Sequence, residues 1–174
     1  MNDYFDRGEA LVCFFDSGIG GLTVLSRCIT LMPNRKFVYF ADNYNVPYGS
    51  FSSAKLLQML DEKFAEISEY SPSAAVIACN TATAQCASYL RAKYSFNIIG
   101  IQPAVKPAEV DAKKCVVLAT PATASSSGIK ELVERFGNGV TEILACPELA
   151  VYIENNIFDI DKDAITGLLP DIEA

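Results

Sequence analysis

Cys79 is the residue with the most evident chemistry in this chain. It stands in Ala74-Ala75-Val76-Ile77-Ala78-Cys79-Asn80-Thr81-Ala82-Thr83-Ala84, where an apolar run with a β-branched centre stops at a thiol. An Ala-rich stretch follows to about Tyr94. That order reads as a buried parallel strand, a tight turn and a helix. The thiol then sits at the carboxyl end of the strand and at the helix N-terminus, where free N–H groups and the helix dipole favour an anion. Such surroundings lower a thiol pKa and favour a reactive thiolate. A free cysteine can equally be a small buried hydrophobe, and position alone does not choose between the two. Asn80 and Thr81 add an amide and a hydroxyl beside the thiol, and with the helix N-terminus they form a cradle for a carboxylate.

Three other loops could converge with this one. Asp16-Ser17-Gly18-Ile19-Gly20-Gly21-Leu22-Thr23 follows a strand and opens a helix. It offers a carboxylate, a hydroxyl and glycines that let backbone N–H groups approach a ligand, or it is merely a tight turn. It is not a dinucleotide fingerprint, because Thr23 stands where G-x-G-x-x-G needs its last glycine, and no phosphate-binding G-x-x-x-x-G-K-[ST] occurs. Ala41-Asp42-Asn43-Tyr44-Asn45-Val46-Pro47-Tyr48-Gly49-Ser50 is a long polar and aromatic connection, of the kind that carries function in compact α/β units, although its Pro-Tyr-Gly equally suits an ordinary turn. Thr120-Pro121-Ala122-Thr123 has two hydroxyls three residues apart, which could face a ligand and which suit a helix cap better. Together these loops offer a thiol, a carboxylate and a carboxylate cradle. That set suits proton transfer on a small carboxylic acid better than redox or phosphoryl chemistry.

Composition narrows the choice. The 174 residues include no histidine, which removes Ser-His-Asp and Cys-His catalysis within the chain and the commonest transition-metal ligand. No metal or cofactor is expected. The six cysteines form no C-x-x-C pair, and Cys13, Cys28, Cys86 and Cys115 read as structural thiols. Cys86 lies two helical turns from Cys79, too far along the axis to share its substrate face. A net charge of −7 and a pI near 4.6 argue against nucleic acid or an anionic membrane as partner. The opening Met1 to Glu9 is polar and acidic, unlike a signal peptide, and no apolar run approaches the roughly 20 residues of a membrane span. A cytoplasmic protein is expected.

The elements that must position these loops alternate. Strands are read at Leu11–Phe15, Phe37–Ala41, Ala74–Ala78, Asn97–Ile101, Lys114–Ala119 and Glu142–Ala145. Helices are read at Leu22–Leu31, Ser52–Tyr70, the stretch after Cys79, Ser125–Phe136 and from about Pro147. This is an α/β pattern with parallel sheets. Gln102-Pro103-Ala104 and Lys106-Pro107 break the rhythm, so a boundary is placed between Gly100 and Lys113. It divides the chain into residues 1–100, with Cys79, and 101–174, in which Val116 to Pro121 repeats the part played by Leu11 to Gly18.

Taken together, Phe15-Asp16-Ser17-Gly18-Ile19-Gly20-Gly21-Leu22-Thr23-Val24-Leu25, Val46-Pro47-Tyr48-Gly49-Ser50 and Ala78-Cys79-Asn80-Thr81-Ala82-Thr83 resemble the bacterial glutamate racemase family, in that family's order and spacing. Leu118-Ala119-Thr120-Pro121-Ala122-Thr123 and Cys146-Pro147 with Glu154 extend the resemblance. Aspartate racemases are less similar, typically placing His where this chain has Thr83. The resemblance implies two similar flavodoxin-like, doubly wound domains, the second incomplete here. It implies cofactor-independent interconversion of L- and D-glutamate by two cysteines on opposite faces of the α-carbon, feeding peptidoglycan synthesis, with the intact enzyme a homodimer. By the same resemblance Cys79 is one of the two thiols and Asp16 assists proton handling or holds the ammonium group. Ser17, Tyr48, Gly49, Asn80 and Thr81 would contact substrate, with Thr120, Thr123 and Glu154 in a second tier. The family's second cysteine lies in a G-C-T-H motif that this sequence lacks. The chain is therefore expected to be the N-terminal two-thirds of a racemase. The alternatives are a non-catalytic binding protein for small carboxylates and a racemase of a related amino acid such as aspartate.

Overall fold

The computed structural model describes residues 10–111, 115–137 and 141–169. The polar opening segment 1–9, and Lys114 as a strand start, lie outside the described residues. Two parallel sheets are present. The first has β1 (Leu11–Asp16), β2 (Lys36–Ala41), β3 (Ala74–Ile77) and β4 (Asn97–Gly100) in the spatial order β2-β1-β3-β4. The second pairs β5 (Cys115–Ala119) with β6 (Thr141–Ala145).

Alternation along β1 explains why the first sheet is wound on both faces. Leu11, Cys13 and Phe15 face one side, and meet Ala75 and Ile77 of β3 together with apolar residues of α2 (Ser53–Glu69) and α3 (Asn80–Lys93). Phe14, with Val12, faces the other side, against Val76, Phe37, Tyr39 and the Val24, Leu25 and Cys28 stripe of α1 (Leu22–Leu31). Strands buried on both faces need the continuous apolar runs seen here. Ser52 starts α2 as expected, its hydroxyl accepting from the Lys55 N–H at 3.3 Å.

The boundary segment departs from expectation. Residues 100–113 contain a helix, α4 (Val105–Asp111), whose fully buried Val105 packs with Val117, Ile129 and Leu132 in the core of the second sheet. Pro107 does not prevent it, because the first turn of a helix leaves its N–H groups without intrahelical partners. A short helix not expected from the sequence, α5 (Pro121–Ser125), precedes the expected helix from Ser125 to Phe136, which is present as α6 (Ser127–Phe136). Ser126 is extended between them, and its hydroxyl caps the second by accepting from Ile129 N–H at 3.3 Å. Two helices close the described chain, α7 (Leu149–Asn155) and α8 (Lys162–Leu168). No helix among the described residues is long and apolar enough to cross a membrane.

Candidate active site

In a sheet of order 2-1-3-4, neighbouring strands β1 and β3 send their connections to opposite faces, and a crevice opens beyond their carboxyl ends. Asp16 ends β1, and Cys79 follows β3 by two residues. Both line a cavity of about 360 Å³. The same cavity is lined by Ser17, Tyr48, Gly49, Asn80 and Thr81, so the structure gathers all seven first-tier residues from three separate loops. Thr120 and Glu154 line it as well, whereas Thr123 does not.

Asp16 is buried with three donors on its carboxylate. Oδ1 accepts from the Ser17 N–H at 2.9 Å, and Oδ2 accepts from the Gly21 N–H at 2.8 Å and from the Tyr39 hydroxyl at 3.2 Å. The glycine at 21 is required by packing, because a Cβ there would stand 2.6 Å from Ala78 Cβ and 2.8 Å from Tyr39 Oη. The loop brings a helix start onto a carboxylate with no room for a side chain between them.

Cys79 is the N-cap of α3, with its sulfur accepting from the Ala82 N–H at 3.4 Å and lying 3.5 Å from Ser17 Oγ. Its placement follows the sequence reading, but its electrostatics do not. Burial raises the thiol above its ordinary 9.0, and the nearby Asp16 charge adds to that rise. The Ser17 hydroxyl and the Ala82 N–H act in the opposite direction without overcoming burial. Desolvation of a fully buried group reaches several pKa units, whereas a helix terminus contributes about 0.3–1 kcal/mol, under one unit. Cys79 is therefore a resting thiol. Cys86 and Cys13 lie in the core behind it, pushed by burial to about 12 and about 11.

Tyr48 has a second duty. Its ring is fully buried against Phe15, and its hydroxyl donates to Asp42 Oδ2 at 2.7 Å. Asn45 also donates to the Asp42 carboxylate, at 3.0 Å. This network ties the long loop together, so Tyr48 meets the cavity with its ring while its hydroxyl is turned to Asp42. Gly49 allows Thr120 to close in, since a Cβ would come within 2.5 Å of the threonine side chain. The hydroxyls of Thr81, Thr120 and Thr123 form a triangle with all three sides 3.0 Å, and Thr120 also caps α5 by accepting from Thr123 N–H. Capping is thus one of two roles for Thr120, the other being this joint between the two sheets.

Glu154, on α7, approaches Gly18 so closely that a Cβ there would meet its carboxylate at 2.6 Å. Burial, and then the Asp16 charge, raises its pKa. Among the described residues, no lysine or arginine lines the cavity, and there is no cluster of three or more His, Cys, Asp or Glu able to hold a metal. The arrangement can accept an ammonium group on its carboxylates, a carboxylate on backbone N–H groups, and a proton on or off one sulfur. Sequence reasoning missed Tyr39. Its place on β2 opposite Phe14 is an ordinary strand position, and only the register shows that its hydroxyl reaches the end of β1.

No protein-family model matches the chain. Its sequence is 38% identical over 150 residues to a glutamate racemase of Lachnospira eligens, covering 83% of this chain and 57% of that protein. It is 39% identical over 161 residues to glutamate racemase 2 of Bacillus subtilis, covering 90% and 60%. Among solved structures, the Escherichia coli glutamate racemase in complex with L-glutamate and the activator UDP-MurNAc-ala superposes with a TM-score of 0.80 at 34% identity, over 92% of this chain and 63% of that one. A glutamate racemase isoform of Bacillus anthracis gives 0.79 at 32% identity, over 91% and 60%. The chain spans 57% to 60% of the length of these curated relatives.

Proposed function

Because the chain belongs with the glutamate racemases in both sequence and fold, we propose that its cavity binds glutamate and exchanges the α-proton without a cofactor, within an enzyme that interconverts the two enantiomers for peptidoglycan synthesis. The observation that carries this reading is Cys79 at the switch point of the sheet, facing one cavity with Asp16, Ser17 and Glu154. Asp16 and Glu154 attract the ammonium group. The N–H groups at the start of α3, with Asn80, take a carboxylate. Cys79 gives up its proton to solvent water before substrate closes the cavity, the Ser17 hydroxyl and the Ala82 N–H stabilise the resulting thiolate, and that thiolate then removes the α-proton and is a thiol again. Inversion needs an acid on the other face of the α-carbon, and Cys79 is the only one of the six cysteines lining the cavity. In this proposal residues 1–100 carry the Cys79 half of the site and residues 101–174 contribute Thr120 and Glu154. The whole enzyme works as a cytoplasmic homodimer.

Incubation of the chain with L-glutamate in deuterium oxide tests this. The expected result is solvent deuterium at Cα with configuration mostly retained, abolished by Cys79→Ser. Persistence of exchange in that variant overturns the assignment of Cys79. The lone lining thiol also favours a second reading, a small-carboxylate-binding protein. Saturable glutamate binding with no exchange at any pH selects it.

A further inference from the structure

Tyr39 takes no part in the proposed proton transfer, yet its hydroxyl is committed to the site. It lies on β2 in register with Phe14, on the α1 side of the sheet, and its ring packs in that apolar layer. The hydroxyl reaches past the layer. It stands 3.2 Å from Asp16 Oδ2 and 3.2 Å from the Gly18 carbonyl oxygen, so one proton is offered to two acceptors. The start of α1 closes over it, a Cβ at Gly21 falling 2.8 Å from the hydroxyl oxygen. Burial and then the Asp16 charge raise the Tyr39 pKa, so the hydroxyl keeps its proton and remains a donor. A phenylalanine would fill the same apolar volume and leave both acceptors without it.

We infer that Tyr39 is a positioning residue whose hydroxyl ties the Asp16 carboxylate to the Gly18 carbonyl and so fixes where the Asp16 charge stands relative to Cys79 and Glu154. Both of those groups feel that charge. Among the described residues, the titratable groups around the Cys79 sulfur are Asp16 and Glu154, with Tyr39 and Tyr48 behind them, and no cation lines the cavity. The Tyr39 donor therefore offsets part of an otherwise one-signed field. The role rests on the glutamate reading only where glutamate is the probe.

The test uses Tyr39→Phe, Asp16→Asn and the double variant in the 174-residue chain. Its first measurement needs no substrate: the rate at which iodoacetamide alkylates Cys79 at fixed pH, read by peptide mass spectrometry, with Cys115 on the second sheet as internal reference. Loss of the donor leaves Asp16 less compensated and the thiolate less favoured, so Tyr39→Phe should slow Cys79 roughly two- to fivefold. Cys115 should be unchanged. In the Asp16→Asn background, Tyr39→Phe should have no further effect, because its action runs through that carboxylate. An unchanged or faster rate, the same slowing in both backgrounds, or a parallel change at Cys115 overturns the inference, the last marking general loosening. Glutamate affinity by calorimetry is the second measurement, and it should weaken in Tyr39→Phe. Failure of the unaltered chain to bind glutamate counts against the proposed function and leaves the alkylation comparison to decide Tyr39.

Discussion

At the scale of single residues, the competition at Cys79 between burial and a helix N-terminus is won by burial. This decides between the two readings of Cys79 that its position leaves open. Cys28 and Cys115 are half-buried and outside the cavity, whereas Cys79 is only 7% exposed and holds its proton beyond 9.0. Iodoacetamide at neutral pH should therefore mark Cys28 and Cys115 before Cys79. Raising the pH above 9.0 should bring Cys79 forward, and saturating glutamate should protect Cys79 alone. Peptide mapping across a pH series checks all three statements. Cys79 labelling that is fastest at neutral pH would show that the thiolate is stabilised more than its burial allows. The same protonation argument makes Cα deuterium exchange rise with pH.

At the scale of elements, two glycines in one loop should behave differently. A Cβ at Gly21 meets the fixed Cβ of Ala78 at 2.6 Å, so Gly21→Ala must lift α1 off the sheet, at about 1–3 kcal/mol by the usual penalty of overpacking. A Cβ at Gly18 meets only the carboxylate of Glu154, the far end of a flexible side chain. Gly18→Ala should leave the denaturation midpoint nearly unchanged and weaken glutamate binding by displacing Glu154. Urea titration and calorimetry on the two variants separate the effects. This contrast also marks where the sequence stops being legible. The strands β1 to β3 and helices α1 to α3 are written in local terms, as apolar runs of strand length, a Ser cap and an Ala-rich stretch. The gathering of Asp16 and Cys79 follows from strand order, which βαβ alternation restricts to few choices. Helix α4 was hidden by Pro103 and Pro107, which mark a break in most settings and here fall before and within a first turn. Helix α5 is too short to show a periodic apolar face, and only its Thr120 cap and Pro121 mark its start. Tyr39 could not be found locally, since its partners are 21 and 23 residues away and depend on register.

For the whole molecule, the buried thiols make stability depend on alkaline pH. The folded chain keeps protons on Cys13 and Cys86 up to about 11 and about 12, and on Cys79 above 9.0, while the unfolded chain gives them up near 9.0. Stability is therefore full below 9.0 and declines as pH rises through that window. Urea midpoints at neutral pH and above 9.0 should show the loss, and Cys13→Ala with Cys86→Ala should flatten it, at lower overall stability. The surface carries Ile99 on edge strand β4, Leu31, Leu118 and Phe158, all well exposed. Apolar groups at open sheet edges promote association, so sedimentation velocity should show assembly that grows with concentration and is not dissolved by salt. A last consequence concerns a cavity lined, among the described residues, by no cationic side chain. In the proposed reading, glutamate must approach a chain of net charge −7 and enter between Asp16 and Glu154, which draw its ammonium group and repel its two carboxylates. Its approach is against the field. Mobile ions shorten that field to about 10 Å at 0.1 M, so encounter should quicken as salt is added, the reverse of electrostatic steering, until the repulsion is screened and the rate levels off.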